Sequence, residues 1–288
     1  MNPADMTRID PAYLRPRLLG RENETHKRSY GHLLVIAGCE AMPGAAVLAT
    51  GAALQSGCGL VTLHSTARAL QATVDSFPSA MLSDEYEDFF RNVPERLKKY
   101  AVIAVGPGLG RSAGTMNALM DLLAIASTEG IPLVLDADAL NILSYLQDWP
   151  GMLPSGSVLT PHMGELRRLL PNTTDENRME IARELCFYLG CTLVMKGYQT
   201  KVFTARGECL MCPIGGPGLA KGGSGDVLTG LIGGLMARGY APEDAAALGV
   251  WVHAYAGDRL TERRSAESFS SRDLIDHLWE GFSELYRQ

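Results

Sequence analysis

Short apolar runs ending at glycine or a polar turn alternate with helical patterns along almost the whole chain. Residues 32–38 (His-Leu-Leu-Val-Ile-Ala-Gly), 59–65, 101–105, 132–135, 157–160 and 192–195 are largely apolar stretches of strand length. Such runs imply burial on both faces, the condition of a strand inside a parallel sheet. Residues 44–56, 67–75, 115–127, 172–189, 242–261 and 271–287 instead suit helices. This alternation admits few folds, because parallel strands need crossover connections and the crossover helices must cover the sheet. The expected fold is α/β: a doubly wound, mostly parallel central sheet of about seven strands, flanked by helices on both faces, with a small β-hairpin at 202–205 and 209–213. No linker, repeat or low-complexity tract interrupts it, so residues 1–288 read as a single domain. Residues 1–30, with their prolines, arginines and other polar side chains, read as an extended N-terminal arm with little to bury.

The most informative stretch is Lys221-Gly222-Gly223-Ser224-Gly225-Asp226-Val227-Leu228-Thr229-Gly230. Glycines let the backbone turn sharply and approach a ligand. Val227, Leu228, Leu231, Ile232 and Leu235 recur at helical spacing, so a buried helix starts near Asp226. The free N–H groups of its first turn would form an anion site at the positive end of the helix dipole. An acid in that mouth repels an anion. Asp226 therefore reads either as a base beside a transferring phosphate or as a plain N-cap.

Other strand ends carry further candidates. Pro43-Gly44-Ala45-Ala46 opens a small, apolar helix whose backbone can approach a ligand or pack closely on another element. Gly106-Pro107-Gly108-Leu109-Gly110 follows a strand, where open α/β sheets bind ligands, but it lacks the G-x-G-x-x-G spacing of a dinucleotide site. Asp136-Ala137-Asp138 and Pro161-His162-Met163-Gly164-Glu165 also cap strands. Lys196-Gly197 ends another, where a lysine suits a phosphate as a point charge. Lys27 is read as a solvated charge before a phosphate ligand, and His253, on an apolar helix, as a core or capping residue.

The net charge of −6 gives no general attraction for nucleic acid, so an anionic substrate must be held by local donors. Cys209 and Cys212 form a C-x-x-C without a second pair at zinc spacing and read as reduced thiols. Residues 1–30 are too polar for a signal peptide, and no apolar run reaches the roughly 18 residues of a membrane helix. No membrane partner is expected, and the cytoplasm is the expected location.

Gly-Gly-Ser-Gly-Asp-Val-Leu-Thr-Gly resembles the signature of the ADP- or ATP-dependent NAD(P)H-hydrate dehydratases, a branch of the ribokinase-like superfamily. Gly-Pro-Gly-Leu-Gly, the Asp136 block, Pro-His-x-Gly-Glu and Lys-Gly agree in order, over roughly residues 15–288. The resemblance implies a repair enzyme for NADH or NADPH hydrated at C6 of the nicotinamide ring, with ADP or ATP as co-substrate and Mg²⁺ as cofactor. It implies Asp226 as the catalytic base. Ala46, Gly108 and His162 join it on the substrate side, although His162 also suits a satisfied strand-end histidine. It implies Lys196, Gly197, Tyr198, Gln199 and Thr200, with Gly223, Ser224 and Gly225, around the nucleotide. Glu165 becomes an outer-shell magnesium residue or simply a helix-start acid, and Asp136 a possible assistant. The epimerase domain often fused to this family is not in the sequence, so the resemblance implies action on the S epimer and a separate epimerase as functional partner. The apolar helix at 45–53 suits a homo-oligomer contact or a core. The alternatives are a small-molecule kinase of the same superfamily, such as a hydroxyethylthiazole kinase, and a nucleotide-binding regulatory module without catalysis.

Overall fold

The computed structural model describes residues 6–85 and 87–287. The strands are β1 (Thr7–Arg8), β2 (His32–Ile36), β3 (Leu60–Thr66), β4 (Met81–Glu85), β5 (Val102–Val105), β6 (Leu133–Leu135), β7 (Val158–Leu159), β8 (Thr192–Met195), β9 (Lys201–Phe203) and β10 (Cys209–Met211). The helices are α1 (Pro11–Leu14), α2 (Pro43–Gln55), α3 (Ala67–Ser76), α4 (Ala113–Glu129), α5 (Ala137–Leu143), α6 (Trp149–Met152), α7 (Met163–Leu169), α8 (Arg178–Leu189), α9 (Ser224–Ala237), α10 (Pro242–Arg263) and α11 (Ser271–Tyr286).

All ten strands join one sheet in the order β1-β10-β9-β8-β7-β6-β5-β2-β3-β4, and only β9 runs antiparallel to its neighbours. The doubly wound reading is borne out. Successive residues of β2 show why: Leu33 and Val35 enter the core shared with α2, α9 and α10, while Leu34 and Ile36 enter the core shared with α4 and α5. Both cores are buried, so the strand is apolar throughout. The chain reverses direction across the sheet between β2 and β5. There the Gly38 N–H donates to the Pro107 carbonyl at 2.7 Å, and the two strand ends open a crevice where such sheets hold ligands.

Three readings change, and one edge strand had no reading at all. The hairpin strands are shorter than expected and continue the main sheet. The arm is not idle: β1 pairs with β10, and Ile9 and Leu14 are fully buried. A two-residue strand carries no period to detect. β4, at the opposite edge, exposes Met81 and Leu82 and has no apolar alternation. The helix expected at 172–189 begins only at Arg178, because Asn177 Oδ1 accepts the Thr174 N–H at 2.7 Å in a turn.

The small residues of α2 are explained by α9. A Cβ on Gly230 would run into the Ala49 carbonyl, and one on Gly234 into Ser56. The two helices thus meet backbone to backbone, and Ala46, Ala49, Ala52 and Ala53 belong to the core. Among the described residues no helix is long and apolar enough to cross a membrane.

Candidate active site

α9 begins at Ser224, two residues earlier than its apolar spacing suggests. Gly223 precedes it in the left-handed region at φ 86°, where its missing Cβ leaves room for Leu48. Asp226 is therefore the third residue of the helix, not its cap. No side chain caps the helix; the Ser224 N–H donates to the Lys221 carbonyl at 3.3 Å, and the Gly225 and Asp226 N–H groups remain open to a ligand. His253, buried on α10, donates from Nε2 to the Ser224 carbonyl at 2.9 Å, and its ring lies 3.1 Å from Ser224 Oγ. Burial lowers the His253 pKa to about 4, so the group supporting this turn is neutral at physiological pH. It is the core residue its sequence context suggests.

A cavity of 650 Å³ opens beside the turn. Ser224, Gly225 and Leu228 form one wall, and Lys196, Gly197, Tyr198 and Thr200 another, with His162 and His253 also lining it. The strip from Ile214 to Lys221 closes it with mainly apolar surface, a volume and lining suited to a nucleoside. Asp258 fixes that strip: its carboxylate accepts the Gly215 and Gly216 N–H groups at 3.0 and 2.7 Å. Gly215 and Gly216 lead into the glycine-rich turn along the chain. Their clamp, far along the chain on α10, was not visible in the sequence. Gln199 turns in the left-handed region at φ 54° and, among the described residues, is not part of the wall.

Lys196 crosses to the sheet's other connections. Its Nζ donates to Asp136 Oδ1 at 2.6 Å and lies 3.9 Å from Glu165 Oε2. A Cβ built on Gly225 would stand 3.3 Å from that Nζ, so the ammonium lies over the first turn of α9. Asp136 is fully buried, and its other oxygen accepts the Thr229 hydroxyl at 2.7 Å. Asp226 is half-buried and, among the described residues, its carboxylate makes no hydrogen bond. Burial, reinforced by the negative charge of Asp136, pushes its pKa up to about 6, against the opposing pull of Lys196.

The proposed substrate side adjoins through the Gly106–Gly110 loop. Gly106 lies against the Asp136 carbonyl, and Asp138 accepts the Gly110 N–H at 2.9 Å. Gly108, at φ 63°, packs on Met42 and Ala45. Ala46 is fully buried, so the accessible surface at the start of α2 belongs to Gly44 and Ala45. His162 caps α7 and shares a capping box with Glu165: His162 N donates to Glu165 Oε2 at 2.9 Å, and Glu165 N donates to His162 Nδ1 at 3.2 Å. Glu165 is thus a helix-start acid, as one of its readings had it. Lys27 is exposed, as expected of a solvated charge.

Among the described residues no cluster of three or more side chains is arranged to ligate a metal. Asp136 is committed to Lys196 and Thr229. The donor set fits a hard cation carried by phosphates and water, with carboxylates outside its inner shell, and does not fit a cage built by the protein.

Sheet order and site together define the class: a ribokinase-like α/β protein with a nucleotide-sized cavity at a glycine-rich helix start. The profile of the NAD(P)H-hydrate dehydratase family matches residues 33–279. The ADP-dependent (S)-NAD(P)H-hydrate dehydratase of Bacillus subtilis is 33% identical over 94% of this chain and 96% of its own length. The bifunctional NAD(P)H-hydrate repair enzyme of Moorella thermoacetica is 37% identical over 94% of this chain, and the chain spans about half of that relative, 52%. A crystal structure of the Bacillus subtilis ADP/ATP-dependent dehydratase, co-crystallised with ATP and Mg²⁺, superposes with a TM-score of 0.82 at 29% identity, covering 98% of this chain and 99% of that one. A hydroxyethylthiazole kinase from Pyrococcus horikoshii shares the fold alone, with a TM-score of 0.62 at 15% identity over 88% of this chain and 89% of that one. The chain belongs to the NAD(P)H-hydrate dehydratase family.

Proposed function

We propose that this chain dehydrates the S epimer of hydrated NADH or NADPH at the expense of ADP or ATP, releasing phosphate with AMP or ADP. The observation that carries the reading is the start of α9. It combines open N–H groups, the Lys196 ammonium above Gly225, and a carboxylate whose proton affinity has been raised toward neutrality. Hydroxide leaves C6 of the ring poorly, whereas phosphate leaves well. Asp226 takes the proton from the C6 hydroxyl as its oxygen attacks the terminal phosphorus, and the bond from that phosphorus to the nucleotide breaks. The N–H groups of Gly223, Gly225 and Asp226 and the Lys196 ammonium hold the charge spread over the transferring group. The ring nitrogen's lone pair then expels phosphate from C6, and loss of a proton from C5 restores the double bond. Magnesium, bound with the nucleotide, would offset phosphate charge, with Glu165 as an outer-shell oxygen through water.

Tyr198, at the cavity rim, Gly197 and Thr200 belong to the nucleotide side of this scheme, and His162 and Gly108 to the substrate side. The domain works as one unit in this reading, with an epimerase elsewhere converting the other epimer and with association into a homo-oligomer. Six unpaired cysteines suit a reducing compartment, which supports the cytoplasm.

The test is incubation with the separated epimers of hydrated NADH, ADP or ATP, and Mg²⁺. Nicotinamide absorbance and free phosphate should rise one for one, from the S epimer only. A stable phosphorylated product from another alcohol, with no reaction on the hydrate, would replace this reading with a kinase.

A further inference from the structure

The Leu-Thr-Gly continuation of the glycine turn carries a hydroxyl into the second turn of α9. Thr229 lies one helical turn beyond Gly225 and is fully buried. Its hydroxyl lies 3.1 Å from the Gly225 carbonyl, as a helical threonine often does. Its better acceptor is Asp136 Oδ2, at 2.7 Å, and a charge-assisted bond of that length is the stronger of the two. The remaining Asp136 oxygen then has one partner, Lys196 Nζ at 2.6 Å. Three residues, one just past β8, one just past β6 and one in the second turn of α9, form one chain of contacts, and that chain ends over Gly225.

We propose that Thr229 and Asp136 are positioning residues for phosphoryl transfer: Thr229 fixes the Asp136 carboxylate, and that carboxylate fixes the Lys196 ammonium over the anion-accepting turn of α9. The inference rests on the proposed function and names what aims its cation. The geometry requires some such device. A lysine stem has four rotatable carbons and its ammonium no directional preference, so without a partner the charge wanders. Glu165, at 3.9 Å, is too far for a hydrogen bond and is held by His162, so it cannot do the aiming. Asp136 also sets a counter-charge: Lys196 is neutralised until phosphate arrives, which limits how tightly the ground state is gripped. Positioning and neutralisation have opposite signatures, and this separates the proposal from a purely structural role.

Asp136→Asn removes a negative charge beside the phosphates. It should tighten ADP binding about threefold to tenfold by calorimetry, leave adenosine binding unchanged, and lower kcat about 100-fold because the cation is no longer aimed. Thr229→Val keeps every charge and loses only the fixing bond. It should lower kcat about tenfold with KM for nucleotide little changed, and Thr229→Ser should recover most of the loss. If the valine variant does not fold, Thr229→Ala and Asp136→Asn carry the same comparison. Equal weakening of ADP and adenosine by Asp136→Asn, or wild-type kcat in a folded Thr229→Val or Thr229→Ala variant, overturns the positioning role. A wild-type protein that restores no NADH sinks the dehydratase reading instead. The selective change in ADP affinity then decides the Asp136 part alone, for or against.

Discussion

Asp226 and its raised pKa lead to the most direct prediction at the scale of single residues. As a base it must be ionised, so kcat/KM should fall below about pH 6, well above the pH at which an ordinary carboxylate would cause the loss. Asp226→Asn keeps the shape and removes the proton acceptor, and turnover should drop on the order of 10² or more while ADP still binds. Its stability should move the other way. The folded pKa lies above the ordinary 3.8, so ionisation is disfavoured in the fold and lowers stability as pH rises from about 4 to 6. The asparagine variant escapes that cost. Thermal melts at pH 7.5 should find it more stable than wild type by about 1–3 kcal/mol, with the gap closing toward pH 4. An unchanged melt at both pH values, together with near-normal turnover, would sink the base assignment. The loop glycines need the structure to be ranked: the strained position is Gly223, whereas Gly225 is helical and its side is filled by Lys196.

Among elements, the contact of α2 with α9 matters most, because it holds the anion-accepting turn against the crevice. Gly230→Ala puts a methyl group where the Ala49 carbonyl stands, so the helices must part. A stability loss of about 1–3 kcal/mol and weaker ADP binding should follow, read by melting and by titration. Gly222→Ala is the control: nothing lies within 4 Å of its Cβ, and stability should change little. This level of structure was partly legible. Glycine, alanine and periodic leucines announce two tightly packed helices, and the strands of the central sheet announce themselves by continuous apolarity. The partners were not legible. Asp136, Lys196 and Thr229 sit on three elements far apart in the chain, and no spacing in the sequence encodes which of them touch. The same holds for Asp258 and the Gly215–Gly216 strip it clamps.

On the scale of the whole molecule, the edges were the least readable part. Edge strands bury less, so β1 and β4 carry little of the pattern that reveals an interior strand. Yet β1 leads directly into the core: Ile9 is fully buried and its N–H donates to the Met211 carbonyl at 2.8 Å. Ile9→Ala should therefore cost about 2–5 kcal/mol in chemical denaturation, as large-to-small changes do in packed interiors.

The pairing of β1 with β10 also imposes an order in time. Thr7 aligns with Leu210, so this segment is synthesised long before the strand it pairs with. Meanwhile β2, β3 and β5 can already assemble, and β1 must wait beside a growing sheet with the Ile9 and Leu14 that follow it uncovered. Contacts this distant in sequence close late, because the long intervening loop must first be ordered. The destabilisation of Ile9→Ala should then appear almost entirely as faster unfolding, with the refolding rate nearly that of the wild type. A variant that refolds slowly and unfolds at the normal rate would mean that the margin of the sheet nucleates it.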